Sequence, residues 1–196
     1  MTSSNSKPEI ELLAIGGSAG SLSMVLKIIQ RLKSDINFAV IIVFHRKSAD
    51  ETLMLNVLSE KTELVVKEAD EKDRLVPGSI YVAPADYHLL IEKDHTLSLD
   101  YSEKVNFSRP SIDVTFASAA EVYADRLACL LLSGANADGV AGLLRAKASG
   151  SLVFIQDPAC AEVPYMPQEA VDRVPYDLLI TEQNLQEVIA KLQMKA

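Results

Sequence analysis

Short apolar runs alternate with stretches of helical periodicity along the whole chain. The first run, Leu12 to Ile15, breaks into Gly16-Gly17-Ser18-Ala19-Gly20-Ser21. Leu22, Leu26 and Ile29 then recur at spacings of four and three, with Val25, Ile28 and Leu32 widening the same face. This order predicts a strand, a tight glycine turn and a helix start within about ten residues. Phe38 to Phe44 is a continuous run rich in Val and Ile, as a strand buried on both faces requires. It ends at His45-Arg46-Lys47, and Ser48 with Glu51 reads as a capping box ahead of Leu53, Val57 and Leu58.

Further strands are predicted over Glu63 to Val66, Ser79 to Val82, Tyr87 to Ile91 and Thr96 to Leu99. Pro77-Gly78 marks a turn, and Lys93-Asp94-His95 joins the last two strands as a hairpin. Ser111 is placed to cap a helix running to about Arg126. Leu127 to Leu132 is another apolar strand, closed by Ser133-Gly134-Ala135-Asn136-Ala137-Asp138-Gly139. A helix to Ala148 with Gly150 as its stop, a strand over Ser151 to Ile155, a short helix and a strand over Leu178 to Ile180 follow. The terminal helix carries Leu185, Val188, Ile189 and Leu192 on one seam. Buried strands alternating with helices predict an α/β fold: a three-layer α/β/α open sheet, mostly parallel, with a β-hairpin.

Composition narrows the function classes. With 196 residues, 48% of them hydrophobic, the chain suits one domain with a sizeable core. Residues 1–10 read as a disordered polar tail and 11–196 as the folded domain. A formal net charge of −8 argues against nucleic acid, which needs a basic face. Two cysteines are too few for a disulfide framework. No secretory leader appears, and no apolar run approaches the ~18 residues of a membrane span, so a cytoplasmic protein without membrane insertion is expected. The His, Cys and acidic groups lack ligand spacing, so neither a metal nor another cofactor is expected.

Parallel sheets bind ligands at the carboxyl ends of their strands, where the strand order reverses. Three predicted strands end in or just before Ser18, His45 and Asp138, bringing a hydroxyl, an imidazole and a carboxylate to one edge. That set suits a nucleophile, a base and a base-orienting acid. Gly16-x-Ser18-x-Gly20 also matches a nucleophile elbow. The competing readings are a partial phosphate loop at Gly17 and Gly20, with Arg46 or Lys47 placed for a 2′-phosphate, and a plain βα turn. Asp138 could instead cap the helix that follows it. His88 and His95 read as structural.

These motifs together resemble the catalytic domain of the chemotaxis protein-glutamate methylesterases over nearly the whole chain. Ile15 to Gly20 resembles that family's serine turn and Phe44-His45 its histidine. Ala83-Pro84-Ala85-Asp86-Tyr87-His88-Leu89 resembles its hairpin motif. Ser108-Arg109-Pro110-Ser111-Ile112-Asp113, Gln156-Asp157-Pro158 and Met166-Pro167 are further matches, and Ser133 to Gly139 fits the aspartate loop. Ala19 stands where threonine is usual, and Ala135 and Asn136 replace a methionine and a glycine.

The resemblance implies acyl transfer to Ser18, with His45 as base and Asp138 fixing its tautomer. The substrates implied are glutamyl methyl esters of methyl-accepting chemotaxis receptors, with deamidation of receptor glutamines as related chemistry. Backbone N–H groups of Ala135 and Ala19 are the implied oxyanion donors. Met166 is an implied substrate-binding residue. Arg109, in the loop ahead of the Ser111 helix, is expected near the triad as a further substrate-binding residue, steering an acidic receptor segment past the chain's own negative charge with help from Arg46 and Lys47; the alternative is that it only braces its loop through backbone carbonyls. The family's receiver domain has no counterpart before residue 11, so a separate receiver protein or a methyltransferase is an expected partner. The alternatives are a catalytically weak scaffold of the same fold and a nucleotide-binding α/β protein.

Overall fold

The computed structural model describes residues 9–45 and 51–193. The Ser48 capping box, Arg46, Lys47 and most of the polar tail lie outside them. Seven strands form the central sheet: β1 (Leu12–Gly17), β2 (Ala39–Phe44), β3 (Val65–Glu68), β4 (Ser79–Val82), β7 (Leu127–Leu131), β8 (Leu152–Gln156) and β9 (Leu178–Ile180). Their order is β3-β4-β2-β1-β7-β8-β9, and every pairing is parallel. A separate antiparallel hairpin pairs β5 (His88–Ile91) with β6 (Leu97–Asp100). The helices are α1 (Leu22–Ile29), α2 (Glu51–Ser59), α3 (Ile112–Tyr123), α4 (Val140–Ala148), α5 (Tyr165–Arg173) and α6 (Leu185–Leu192).

The period of two along each buried strand divides the core. Leu12, Ala14, Ile41, Val43, Cys129 and Leu131 face α3, α4, α5 and the hairpin. Their neighbours Leu13, Ile15, Ile42, Phe44, Leu130 and Leu132 face α1 and α6. A strand covered on both sides must be apolar throughout, which explains the unbroken runs. The chain leaves β1 through α1 on one face and enters β7 from α3 on the other. The strand order therefore reverses between β1 and β7, which opens a crevice at their carboxyl ends.

Several details differ from the expectation. Ile10, placed in the polar tail by the sequence, is 3% exposed and belongs to the core. Strand β3 lies two residues later than Glu63 to Val66, because its ladder to β4 pairs Val65 with Ser79 and Glu68 with Val82. At a sheet edge the charged Lys67 and Glu68 can continue the strand that the apolar pattern would stop. The buried face of α1 centres on Met24, Val25, Ile28 and Ile29, leaving Leu22 and Leu26 only partly buried. Helix α3 ends at Tyr123, and residues 124–126 tighten into a 3₁₀ turn. Among the described residues no helix is long and apolar enough to cross a membrane.

Candidate active site

Gly17 lies in register with Phe44, so Ser18 and His45 each stand one residue beyond a paired position. The His45 N–H reaches the Gly17 carbonyl at 3.4 Å, and the Ser18 N–H donates to the Ser133 carbonyl at 2.9 Å. Ser18 thus ends the central strand with His45 on one flank and the aspartate loop on the other. Neighbouring strands are only ~4.8 Å apart, which brings the two side chains into one neighbourhood.

The turn after Ser18 is closed by Ser21. Its N–H and its hydroxyl both donate to the Ser18 carbonyl, at 3.1 and 2.6 Å. Of the three glycines here only Gly20 adopts a positive φ, +76°. Gly16 and Gly17 instead permit close packing. A Cβ at Gly16 would stand 2.4 Å from Ile112 Cγ2, and one at Gly17 2.5 Å from Ser21 Cβ. Ser18 itself is not left-handed, so the backbone strain of a nucleophile elbow is absent. Ser18 is half-buried, and its hydroxyl bonds to no group among the described residues.

His45 and Asp138 are joined directly, Nε2 to Oδ2 at 2.7 Å. An ionised carboxylate only accepts, so Nε2 carries a hydrogen, and in the neutral ring the lone pair is on Nδ1. Asp138 is fully buried and receives four further bonds. Oδ2 accepts from the Ile112 N–H at 2.7 Å. Oδ1 accepts from the Ser111 hydroxyl at 2.7 Å, the Asp113 N–H at 3.1 Å and Asn106 Nδ2 at 3.1 Å. Burial alone would raise its pKa, but the bonds from His45, Ser111, Ile112 and Asn106 outweigh that and hold it below the ordinary carboxylate value. Asp138 therefore caps α3, a helix distant in sequence, and not the helix that follows it. The positive end of α3 adds to the same stabilisation.

Sequence reasoning assigned Ser111 to the cap of α3. Its hydroxyl makes no cap bond and is given to Asp138 instead. The carboxylate from the β7 loop occupies the place the serine would have taken. Asn106 and Asp113 also belong to this cluster. Asp113 was visible only as the end of the Ser108 to Asp113 motif. Asn106, five residues before Ser111, carried no spacing signal at all.

His88 is buried, accepting from the Ser111 N–H at Nδ1 (3.1 Å) and donating from Nε2 to the Glu103 carbonyl (2.9 Å). Both ring nitrogens are used, so its role is to hold the hairpin against the start of α3. His95, at the hairpin tip, packs edge-on against Tyr123 with ring centroids 5.0 Å apart.

Ala19 and Ala135 are both exposed, and no group among the described residues accepts from either N–H. Ala19 follows Ser18 in its turn, and Ala135 lies two residues beyond Ser133, whose carbonyl accepts the Ser18 N–H. That loop passes Asn136 without a positive φ, and Asn136 Oδ1 accepts from the Asp138 N–H at 3.1 Å. The left-handed residue is Gly139, at φ +100°.

The two expected substrate-binding residues are placed differently. Met166 is 0% exposed, with its thioether packed under Gly134, where an added Cβ would lie 2.5 Å from Met166 Cε. A side chain so buried packs beneath the aspartate loop. Arg109 donates from Nη1 to the carbonyls of Tyr101 and Ser102 at 3.1 and 2.7 Å. Its guanidinium also stacks on the Tyr101 ring, 3.9 Å from the centroid. These contacts tie it to the 101–102 segment, the bracing role of a loop arginine.

Ser133 and Gln156 complete the floor. The Ser133 hydroxyl donates to the Ala19 carbonyl at 2.7 Å and accepts from the Val163 N–H at 2.9 Å, while Gln156 Oε1 takes the Ser133 N–H. On the far side of the Ser18 turn a cleft of about 370 Å³ opens beside Gly20, between α1 and the ends of β8 and β9. Among the described residues no group of three or more His, Cys, Asp or Glu could hold a metal ion.

The family model described as CheB methylesterase matches residues 13–189. A relative from Leptospira interrogans is 40% identical over 182 residues, spanning 93% of this chain and 94% of its own length. It is provisionally named protein-glutamate methylesterase/protein-glutamine glutaminase. A protein-glutamate methylesterase/protein-glutamine glutaminase from Maricaulis maris is 32% identical over 80% of this chain and 40% of its own. The solved Thermotoga maritima CheB methylesterase catalytic domain superposes with a TM-score of 0.88 at 28% identity, covering 94% of this chain and 100% of that one.

Proposed function

This chain belongs to the CheB methylesterase family, and from that premise we propose that it hydrolyses glutamyl methyl esters on chemotaxis receptors through a Ser18-His45-Asp138 triad. The observation that carries the reading is the 2.7 Å bond between His45 Nε2 and a buried, ionised Asp138, on a strand end adjacent to Ser18. Hydrolysis begins when the Ser18 hydroxyl attacks the ester carbonyl and passes its proton to His45. Because Asp138 occupies Nε2, the proton goes to Nδ1. The imidazolium that forms is stabilised by Asp138, which stays ionised throughout.

The developing oxyanion needs donors that are not already engaged. The N–H groups of Ala19 and Ala135 meet that requirement and would supply them from two loops. Methanol leaves with the proton that His45 returns, and water activated by the same nitrogen cleaves the acyl-enzyme. Replacing the ester by the side-chain amide of a receptor glutamine gives the same sequence with ammonia leaving. The setting that goes with this reading is the cytoplasm, where the receptors expose their signalling segments. A separate receiver protein or methyltransferase fits as a partner. The test is methanol release from methylated receptor by the purified chain, which Ser18→Ala should abolish.

A further inference from the structure

Two carboxylates meet at the start of α3. Asp138 reaches it from the β7 loop, and Asp113 belongs to its first turn. Asp113 Oδ1 accepts from the Gly142 N–H of α4 at 2.6 Å. Its backbone N–H donates to Asp138 Oδ1 at 3.1 Å. Like charges this close disfavour double ionisation, and such pairs commonly share one proton. A triad acid that held a shared proton would be a poorer partner for an imidazolium.

One side chain stands between them. Asn106 Nδ2 donates to Asp113 Oδ2 at 2.7 Å and to Asp138 Oδ1 at 3.1 Å. The amide has two hydrogens and uses one for each carboxylate. Asn106 sits at φ +50°, a conformation that asparagine tolerates better than most residues. We infer that Asn106 is a positioning residue of this site, holding the Asp138 carboxylate toward His45 by standing between it and Asp113. It touches neither substrate nor the reacting atoms and acts through Asp138. This inference rests on the triad reading above.

The surroundings agree on which carboxylate gives way. Burial, with the charge of Asp138 added, pushes Asp113 above the ordinary carboxylate value, while Asp138 is held below it. Among the described residues, the titratable groups facing Asp138 are His45 from the end of β2 and Asp113 from α3. The imidazole of His88, from β5, lies one step away on the Ser111 N–H, and the α4 side contributes only backbone.

The test uses Asn106→Gly, which deletes the amide and leaves the positive φ accessible, and Asn106→Asp, which keeps the shape and reverses the polarity. Asn106→Gly should lower kcat on a small methyl ester about ten-fold with KM within about two-fold. Adding Asp113→Asn should restore most of that loss, because the bridge is needed only where two charges meet. Asn106→Asp should shift the acid limb of kcat/KM to higher pH by about half a unit or more, since a third carboxylate raises proton affinity throughout the cluster. Independently of turnover, the Asp138 carboxyl carbon, followed by NMR in the full chain, should titrate higher in Asn106→Gly and return in the double variant. Wild-type kcat and an unmoved Asp138 titration in Asn106→Gly would overturn the inference, as would simple additivity of the two substitutions. If the wild type hydrolyses no ester, the triad reading fails, and the NMR titration still decides the role of Asn106.

Discussion

Asp138 Oδ2 accepts the backbone N–H of Ile112 at 2.7 Å, so the acid of the proposed triad is also the cap of a helix 26 residues earlier. One carboxylate satisfies two otherwise unpaired donors of α3, at Ile112 and Asp113, and orients His45. On the proposed triad, stability and activity are tied to the same carboxylate. Loss of this group leaves helix donors buried without partners and leaves the imidazole without its tautomer lock.

Removal of the nucleophile should separate the two consequences. Ser18→Ala is expected to lower methanol release by about 10⁴-fold or more while leaving thermal stability near wild type, because its hydroxyl bonds to no group among the described residues. His45→Ala and Asp138→Asn should be low as well, and each paired with Ser18→Ala should be little worse than Ser18→Ala alone. Initial rates with thermal melts on the same samples check this. Receptor binding with wild-type turnover in Ser18→Ala, or no turnover in the wild type, would favour the scaffold reading.

The two buried carboxylates should give opposite slopes of stability against pH. Asp138 lies below its ordinary value of 3.8 in the folded chain, so its contribution is full above that pH and lost as pH falls through its folded value. Asp113 lies above 3.8, so protonating it on acidification favours the folded state before Asp138 begins to titrate. Urea midpoints measured from about pH 6 to pH 3 should therefore show Asp138→Asn destabilised most at the upper end, with the gap narrowing toward the lower. Asp113→Asn should differ least from wild type at the acid end of its own titration.

Arg109→Ala should weaken the protein more than it alters substrate choice. Its two carbonyl bonds and its stacking on Tyr101 contribute about 1–2 kcal/mol at a partly exposed site. The loss in kcat/KM should be similar on methylated receptor and on a small neutral ester. A loss confined to receptor would restore the steering role that its sequence context suggested.

Met166→Ala removes a fully buried side chain beneath the Gly134 turn and should cost about 2–5 kcal/mol. Because that turn leads to Ala135, the rate on any ester should fall along with stability. Met166→Leu, close in volume, should keep most of both. Denaturant unfolding and initial rates on the three proteins check the pairing.

The sequence by itself determined the architecture. Runs such as Phe38 to Phe44 and Leu127 to Leu132 are apolar at every position because both strand faces are covered, and that pattern needs no tertiary knowledge to read. It also placed Ser18 and His45 at strand ends and Asp138 in the loop beyond another, since a parallel sheet delivers all such ends to one edge. Only the tertiary structure decided what those residues touch. The identity of the α3 cap passed from Ser111 to Asp138 because a buried carboxylate binds helix N–H groups more strongly than a hydroxyl does. For Met166 and Arg109 the motifs fixed position along the chain, while burial and the nearest acceptors fixed what each side chain touches. Asn106 was silent in the sequence because its work depends on two carboxylates, 7 and 32 residues away, that meet only after the sheet has closed.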